Sequence, residues 1–268
     1  MDRLSKVKGI FLDLGGTLLY PPSGSFMFSN FAKRYFSPEQ LAALPPEQVK
    51  AAKDRAAEER AVEYSRPVLD IEEEYQIFLR YYRVLASELG LKLTDAELQA
   101  VADDKVNNKD DNYRLFDDTI ETLKALHGKY RLGIISDTWP SILPLLEHFD
   151  ILQYFYCTTF SYELGTLKPD PQMFRDALSK IGLPPEQTVF VDDNPKNCEG
   201  AAQLGIFPIQ ICAKSIWRPD VDKSFGIDHV QALDQSIDEP APSKDLCCIH
   251  RISGLLELLD KEGSEWNR

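Results

Sequence analysis

The chain has 268 residues, 43% of them hydrophobic, and a formal net charge of −13. That length suits one large domain or a core domain with a smaller companion, and the charge argues against bare nucleic acid or an anionic membrane as partners held by net attraction. No apolar run approaches the roughly 18–20 residues of a membrane-spanning helix, and Asp13 interrupts the one early window that resembles a signal peptide.

The first predicted strand, Lys8 to Leu12, is a short apolar run that ends in Asp13 and is followed at once by Leu14-Gly15-Gly16-Thr17. An apolar run closed by a turn signal reads as a buried strand, and ligands of open parallel sheets bind at strand carboxyl ends. Gly15 and Gly16 let the loop take unusual dihedrals and bring N–H groups close to an anion. A carboxylate beside such a cradle repels an anionic ligand unless it holds a metal ion, attacks the ligand, or does both. Leu18 to Phe28, with Pro21, Pro22 and Gly24, reads as a turn or flap. Ser37-Pro38-Glu39-Gln40 carries a capping box with proline at the first helical position. Pro45-Pro46 starts a helix from Glu47 to about Tyr64. Asp70 caps another, whose Tyr75, Phe78, Leu79, Tyr82, Leu85 and Leu89 recur at helical spacing until Gly90. Thr94 and Glu97 repeat the capping box. No strand signal falls between Asn30 and Val106, so about 90 residues read as a helical insert, too long for a loop.

From Phe116 strands and helices alternate. Helices are expected over Asp117–Leu126, Pro140–Phe149, Pro171–Ile181 and Pro195–Leu204, with Asp170 capping the third. Strands are expected over Tyr130–Ile135, Tyr154–Phe160, Thr188–Val191 and Ile206–Ile211. This alternation predicts an α/β fold, a doubly wound parallel sheet covered on both faces. Right-handed crossovers then place Asp13, Ser136 and Asp192-Asp193 on one edge. The expected division is a core of residues 1–17 and 114–268 with an inserted all-helical cap domain of 18–113. Residues 213–245 read as an extended surface segment, Ile252–Leu259 as a short amphipathic helix, and the last residues as frayed.

Four segments in order resemble the haloacid dehalogenase-like hydrolase superfamily, in its subgroup with a helical cap between the first and second motifs. They are Asp13-Leu14-Gly15-Gly16-Thr17, Ser136 at a strand end, Lys168 in Gly165-Thr166-Leu167-Lys168-Pro169, and Asp192-Asp193 after Val189-Phe190-Val191. The resemblance implies a Rossmann-like core and a Mg²⁺-dependent phosphomonoester hydrolase whose substrate is a small phosphorylated metabolite. It implies Asp13 as the nucleophile forming an aspartyl-phosphate. Mg²⁺ would be held by Asp13, the backbone carbonyl of Gly15 and Asp193, with Asp192 direct or through water. Phosphate would be held by Gly16, Thr17, Ser136, Asp137 and Lys168, with peptide N–H groups of Leu14 and Asp137 adding to the cradle. Asp137 is also expected to cap the helix that follows.

Position 15 departs from the usual phosphatase pattern, which has a second aspartate there to protonate the leaving alcohol and later activate water. General acid–base help of this kind is worth about 10²–10⁴-fold. With Gly15 the enzyme favours leaving groups needing little protonation, draws an acid from elsewhere, or has weak turnover. Two alternatives therefore stand: a metal-independent 2-haloacid dehalogenase-type hydrolase, and a catalytically impaired regulatory protein. The five cysteines are odd in number, lack a Cys-x-x-Cys pair and suit free thiols in a reducing cytoplasm. Cys247-Cys248 lacks partners for a zinc site, and the four histidines show no ligand spacing. Tyr75, Phe78 and Tyr82 read as cap core; Tyr20, Phe26 and Phe28 are candidates to line the entrance.

Overall fold

In the computed structural model, which describes residues 4–212 and 246–263, the expected apolar runs become one parallel sheet. Its strands are β1 (Gly9–Leu12), β4 (Arg131–Ser136), β5 (Cys157–Phe160), β6 (Thr188–Asp192), β7 (Phe207–Ile211) and β8 (Cys247–Ile249), in the order β5-β4-β1-β6-β7-β8. All neighbouring pairs run parallel, with Leu12 opposite both Ile134 and Val191. β1 and β6 are buried along their whole length, which is why they read as continuous apolar runs. Alternate side chains go to opposite faces. Ile10, Leu12, Ile134, Val189 and Val191 join one layer, and Phe11, Ile135 and Phe190 join the other with Met173 and Phe174.

The crossover helices are α6 (Thr119–Leu126), α7 (Ile142–His148), α9 (Pro171–Ile181) and α10 (Pro195–Gln203), with a single turn α8 (Ser161–Leu164) and a terminal α11 (Gly254–Gly263). Asp170 caps α9 by accepting from the Gln172 N–H. The insert contains α1 (Pro38–Ala42), α2 (Pro46–Ala57), α3 (Ile71–Glu88), α4 (Asp95–Asn107) and the short α5 (Lys109–Asn112). Both capping boxes form: Ser37 with Gln40, and Thr94 with Glu97. Asp70 caps α3 through the Glu73 N–H. Phe28, Phe36, Phe78 and Tyr82 are fully buried in a cluster among these helices.

Several expectations need correction. The insert is not all-helical: β2 (Leu19–Tyr20) pairs antiparallel with β3 (Arg114–Leu115), a two-stranded ribbon where the chain leaves and re-enters the sheet domain. Two-residue strands carry no readable periodicity, and the prolines after Tyr20 point to a turn. The helix expected to reach Tyr64 gives way after Ala57 to a 3₁₀ segment, Glu58–Tyr64. The sixth strand, β8, adds to the expected ones; three residues beginning Cys-Cys do not announce a strand. Residues 213–245 and the terminal residues expected to fray lie outside the described part.

Candidate active site

The loop after β1 begins as a continuation of the ladder, with the Asp13 N–H donating to Val191 O at 3.0 Å. The backbone then turns tightly: Thr17, Leu18 and Leu19 N–H groups all donate to Leu14 O, and Gly16 N–H donates to Leu19 O. Gly16 makes this possible with φ of 76°, a region that disfavours side chains. The Asp13 carboxylate is left almost buried at the sheet edge.

Lys168 approaches from the loop between α8 and α9. Its Nζ lies 2.7 Å from Asp13 Oδ1, 2.7 Å from Asp192 Oδ2 and 3.1 Å from Ile135 O. An ammonium has three donors, and here each meets the carboxyl end of a different strand: β1, β4 and β6. The Lys168 N–H also donates to Asp137 Oδ1 at 2.9 Å. This corrects the expected helix-capping role of Asp137. Ser141 is the N-cap residue of α7, and Asp137 instead pins the lysine loop.

Asp192 is fully buried and densely satisfied. Its Oδ1 accepts from Asn194 N–H at 2.7 Å, and Asn197 Nδ2 reaches Oδ1 at 3.2 Å and Oδ2 at 3.1 Å. Asn197 is not among the residues expected from the sequence. The signal is its place in the first turn of α10, five residues after Asp192, where an amide can point back at the strand end. The cap of α10 is Asn194, through the Lys196 N–H.

One carboxylate oxygen from each of Asp13, Asp192 and Asp193 lies within 4.8 Å of the others. Lys168 bonds to two of these carboxylates, Asp13 and Asp192, both of them buried. Burial, opposed by the Lys168 ammonium and reinforced by Asp192 and Asp193, pushes the Asp13 carboxyl up to about 7. Burial alone would lower Lys168, but Asp13, Asp192 and Asp137 outweigh it and hold the ammonium above its usual range. A hard divalent cation fits this all-oxygen donor set.

Gly15, Ser136 and Asp137 line a pocket of about 310 Å³ between the sheet edge and the helical insert. Ser136 ends β4 and is 3% exposed. Gly16 and Thr17 turn their N–H groups into the loop itself, so they shape the cradle; neither amide faces outward from it. The buried Thr17 Oγ1 has no hydrogen-bond partner among the described residues. Of the candidate aromatics, Phe26 and Phe78 line the pocket. Phe28 and Tyr82 are buried in the helical cluster, and Tyr20 packs on Phe116.

The family model described as haloacid dehalogenase-like hydrolase matches residues 7–205. The phosphoglycolate phosphatase of Salmonella typhimurium is 25% identical over 254 residues, covering 90% of this chain and 89% of the relative. Among solved structures, the L-2-haloacid dehalogenase of Xanthobacter autotrophicus with chloropropionic acid covalently bound aligns with a TM-score of 0.60 at 17% identity, over 95% of this chain and 98% of that one. A protein described as a predicted phosphoglycolate phosphatase from Haemophilus somnus aligns with a TM-score of 0.52 at 18% identity, over 94% and 98%. At these identities the structural likenesses speak for the fold alone.

Proposed function

The chain belongs to the haloacid dehalogenase-like hydrolase family, and on that premise we propose that it is a Mg²⁺-dependent phosphomonoester hydrolase of a small phosphorylated metabolite, with Asp13 as its nucleophile. The observation that carries this reading is the grouping of Asp13, Asp192 and Asp193, the first two bonded to Lys168, at the carboxyl ends of adjacent strands. In it, residues 18–113 act as a cap over a core of 1–17 and 114–268, and the pocket between them admits the ester. Mg²⁺ would be held by Asp13, Asp193 and the Gly15 carbonyl and would supply the positive charge that offsets repulsion between carboxylate and phosphate. Asp192 accepts from Lys168, Asn194 and Asn197, so it holds Lys168 in place and would reach the metal through water.

An Asp13 oxygen attacks phosphorus, the bond from phosphorus to the ester oxygen breaks, and the alcohol oxygen leaves with the electron pair. Lys168 and the Ser136 hydroxyl meet the charge developing on the phosphoryl oxygens. Water then cleaves the acyl phosphate, returning the Asp13 carboxylate and inorganic phosphate. With glycine at position 15 no carboxyl protonates the leaving oxygen from that point, so esters of acidic alcohols are turned over fastest.

The dehalogenase reading is favoured by Gly15 and opposed by the three grouped carboxylates, because displacement of halide by Asp13 needs no metal. Release of phosphate and of halide separates the two. The phosphatase reading expects phosphate from aryl esters with Mg²⁺, none with EDTA, none from Asp13→Asn, and no halide from 2-haloacids. Metal-independent halide release would replace it with the dehalogenase reading. Neither product, with Mg²⁺ still bound, would point to a regulatory protein.

A further inference from the structure

Two cationic side chains from the insert reach the same pocket as Gly15, Ser136 and Asp137. They are Lys105, near the end of α4, and Arg60, in the 3₁₀ segment after α2. Lys105 is 9% exposed. Its Nζ forms no salt bridge among the described residues: it donates to Tyr113 Oη at 3.0 Å and lies 4.9 Å from the Phe78 ring centre and 5.7 Å from that of Tyr113. Arg60 is half-buried, with Nη1 2.7 Å from Met27 Sδ and its guanidinium 5.7 Å from the Tyr81 ring centre. Glu74, whose field reaches Lys105, already accepts from Ser141 N–H and Oγ at 2.7 Å each. Burial alone would lower Lys105, but Tyr113 and Glu74 outweigh it and keep the ammonium charged. An ammonium has three donors, and among the described residues only one is taken, by Tyr113, so an anion in the pocket would meet the others.

We propose that Arg60 and Lys105 form a subsite for a second anionic group of the substrate, so that the enzyme takes small phosphomonoesters that also carry a carboxylate or a second phosphoryl group. This rests on the phosphatase reading. The acidic cluster with its cation takes one end of the molecule, and the cap cations take the other. A guanidinium fork beside an ammonium gives directed, charge-assisted hydrogen bonds to either kind of oxygen anion. A pocket of about 310 Å³ confines the substrate to a small metabolite.

The test titrates the full chain with Mg²⁺ against three non-hydrolysable probes of equal chain length: propylphosphonate, 3-phosphonopropionate and propane-1,3-diphosphonate. The wild type is expected to bind at least one doubly acidic probe about tenfold or more tighter than propylphosphonate. Whichever is preferred identifies carboxylate or phosphoryl as the second group. Lys105→Met and the more exposed Arg60→Met should each remove most of that preference. Equal binding of all three probes by the wild type overturns the subsite, as does a preference that survives both substitutions. Phosphate release from aryl esters is scored in parallel. Its absence while the preference persists defeats the hydrolase reading and leaves the anion subsite standing.

Discussion

The Cζ of Phe26 lies 2.9 Å from where a Cβ on Gly15 would sit. The place from which a side chain at position 15 would enter the pocket is covered by an aromatic ring. Gly15→Asp alone should therefore displace that ring and cost about 1–3 kcal/mol, as overpacking does. It should not raise turnover of alkyl phosphates. Combined with Phe26→Ala, the new carboxyl gains room, and alkyl esters should gain more than aryl esters, toward the lower end of the about 10²–10⁴-fold range of acid catalysis. Melting curves and phosphate release on paired alkyl and aryl esters check this. A single Gly15→Asp variant that gains alkyl activity at unchanged stability would contradict it.

Asp192 and Asp193 are adjacent but should behave differently. Asp192 is buried and bonded to Lys168, Asn194 and Asn197, so Asp192→Asn breaks a buried charge pair and should cost about 3–5 kcal/mol. Asp193 is partly exposed and sits in the acidic cluster. Asp193→Asn should change stability little and raise the Mg²⁺ concentration needed for half-maximal activity. Denaturant unfolding and Mg²⁺ titration of both variants distinguish the roles; equal stability losses would contradict the division.

Mg²⁺ should stabilise the protein in a pH-dependent way. The Asp13 carboxyl is raised from 3.8 to about 7 in the folded chain without metal. The unfolded chain releases that proton at lower pH, so this group's contribution is full below its unfolded value and is lost as pH rises through about 7. A bound cation favours the charged form and offsets the loss. The gain in Tm on adding Mg²⁺ should therefore be larger at pH 8 than at pH 5, and the difference should shrink in Asp13→Asn. A gain independent of pH in the wild type would contradict this.

The strand ends that build the cluster were legible because each apolar run stops at a residue that cannot belong to the core: Asp13, Ser136, Asp192. Order along the chain and the handedness of crossovers then place them together. Lys168 was legible from its loop, but not its bond to the Ile135 carbonyl. Asn197 was not, since an asparagine in a helix's first turn is ordinary until its target is known. Phe26 was visible as an aromatic in a flap, yet only the folded loop shows that it faces position 15. The ribbon of β2 and β3 and the strand β8 were lost because two or three residues hold no period, and their pairing partners are distant in sequence.

The most direct test of Asp13 as nucleophile is to trap the covalent intermediate. The protein with Mg²⁺ is mixed with an aryl phosphate, quenched in acid and reduced with borohydride, and the peptide carrying Asp13 is examined by mass spectrometry. A nucleophilic Asp13 is reduced to homoserine in the wild type, with no change at that position in Asp13→Asn. Phosphate release with Asp13 unmodified, or a trapped adduct on another residue, would contradict it.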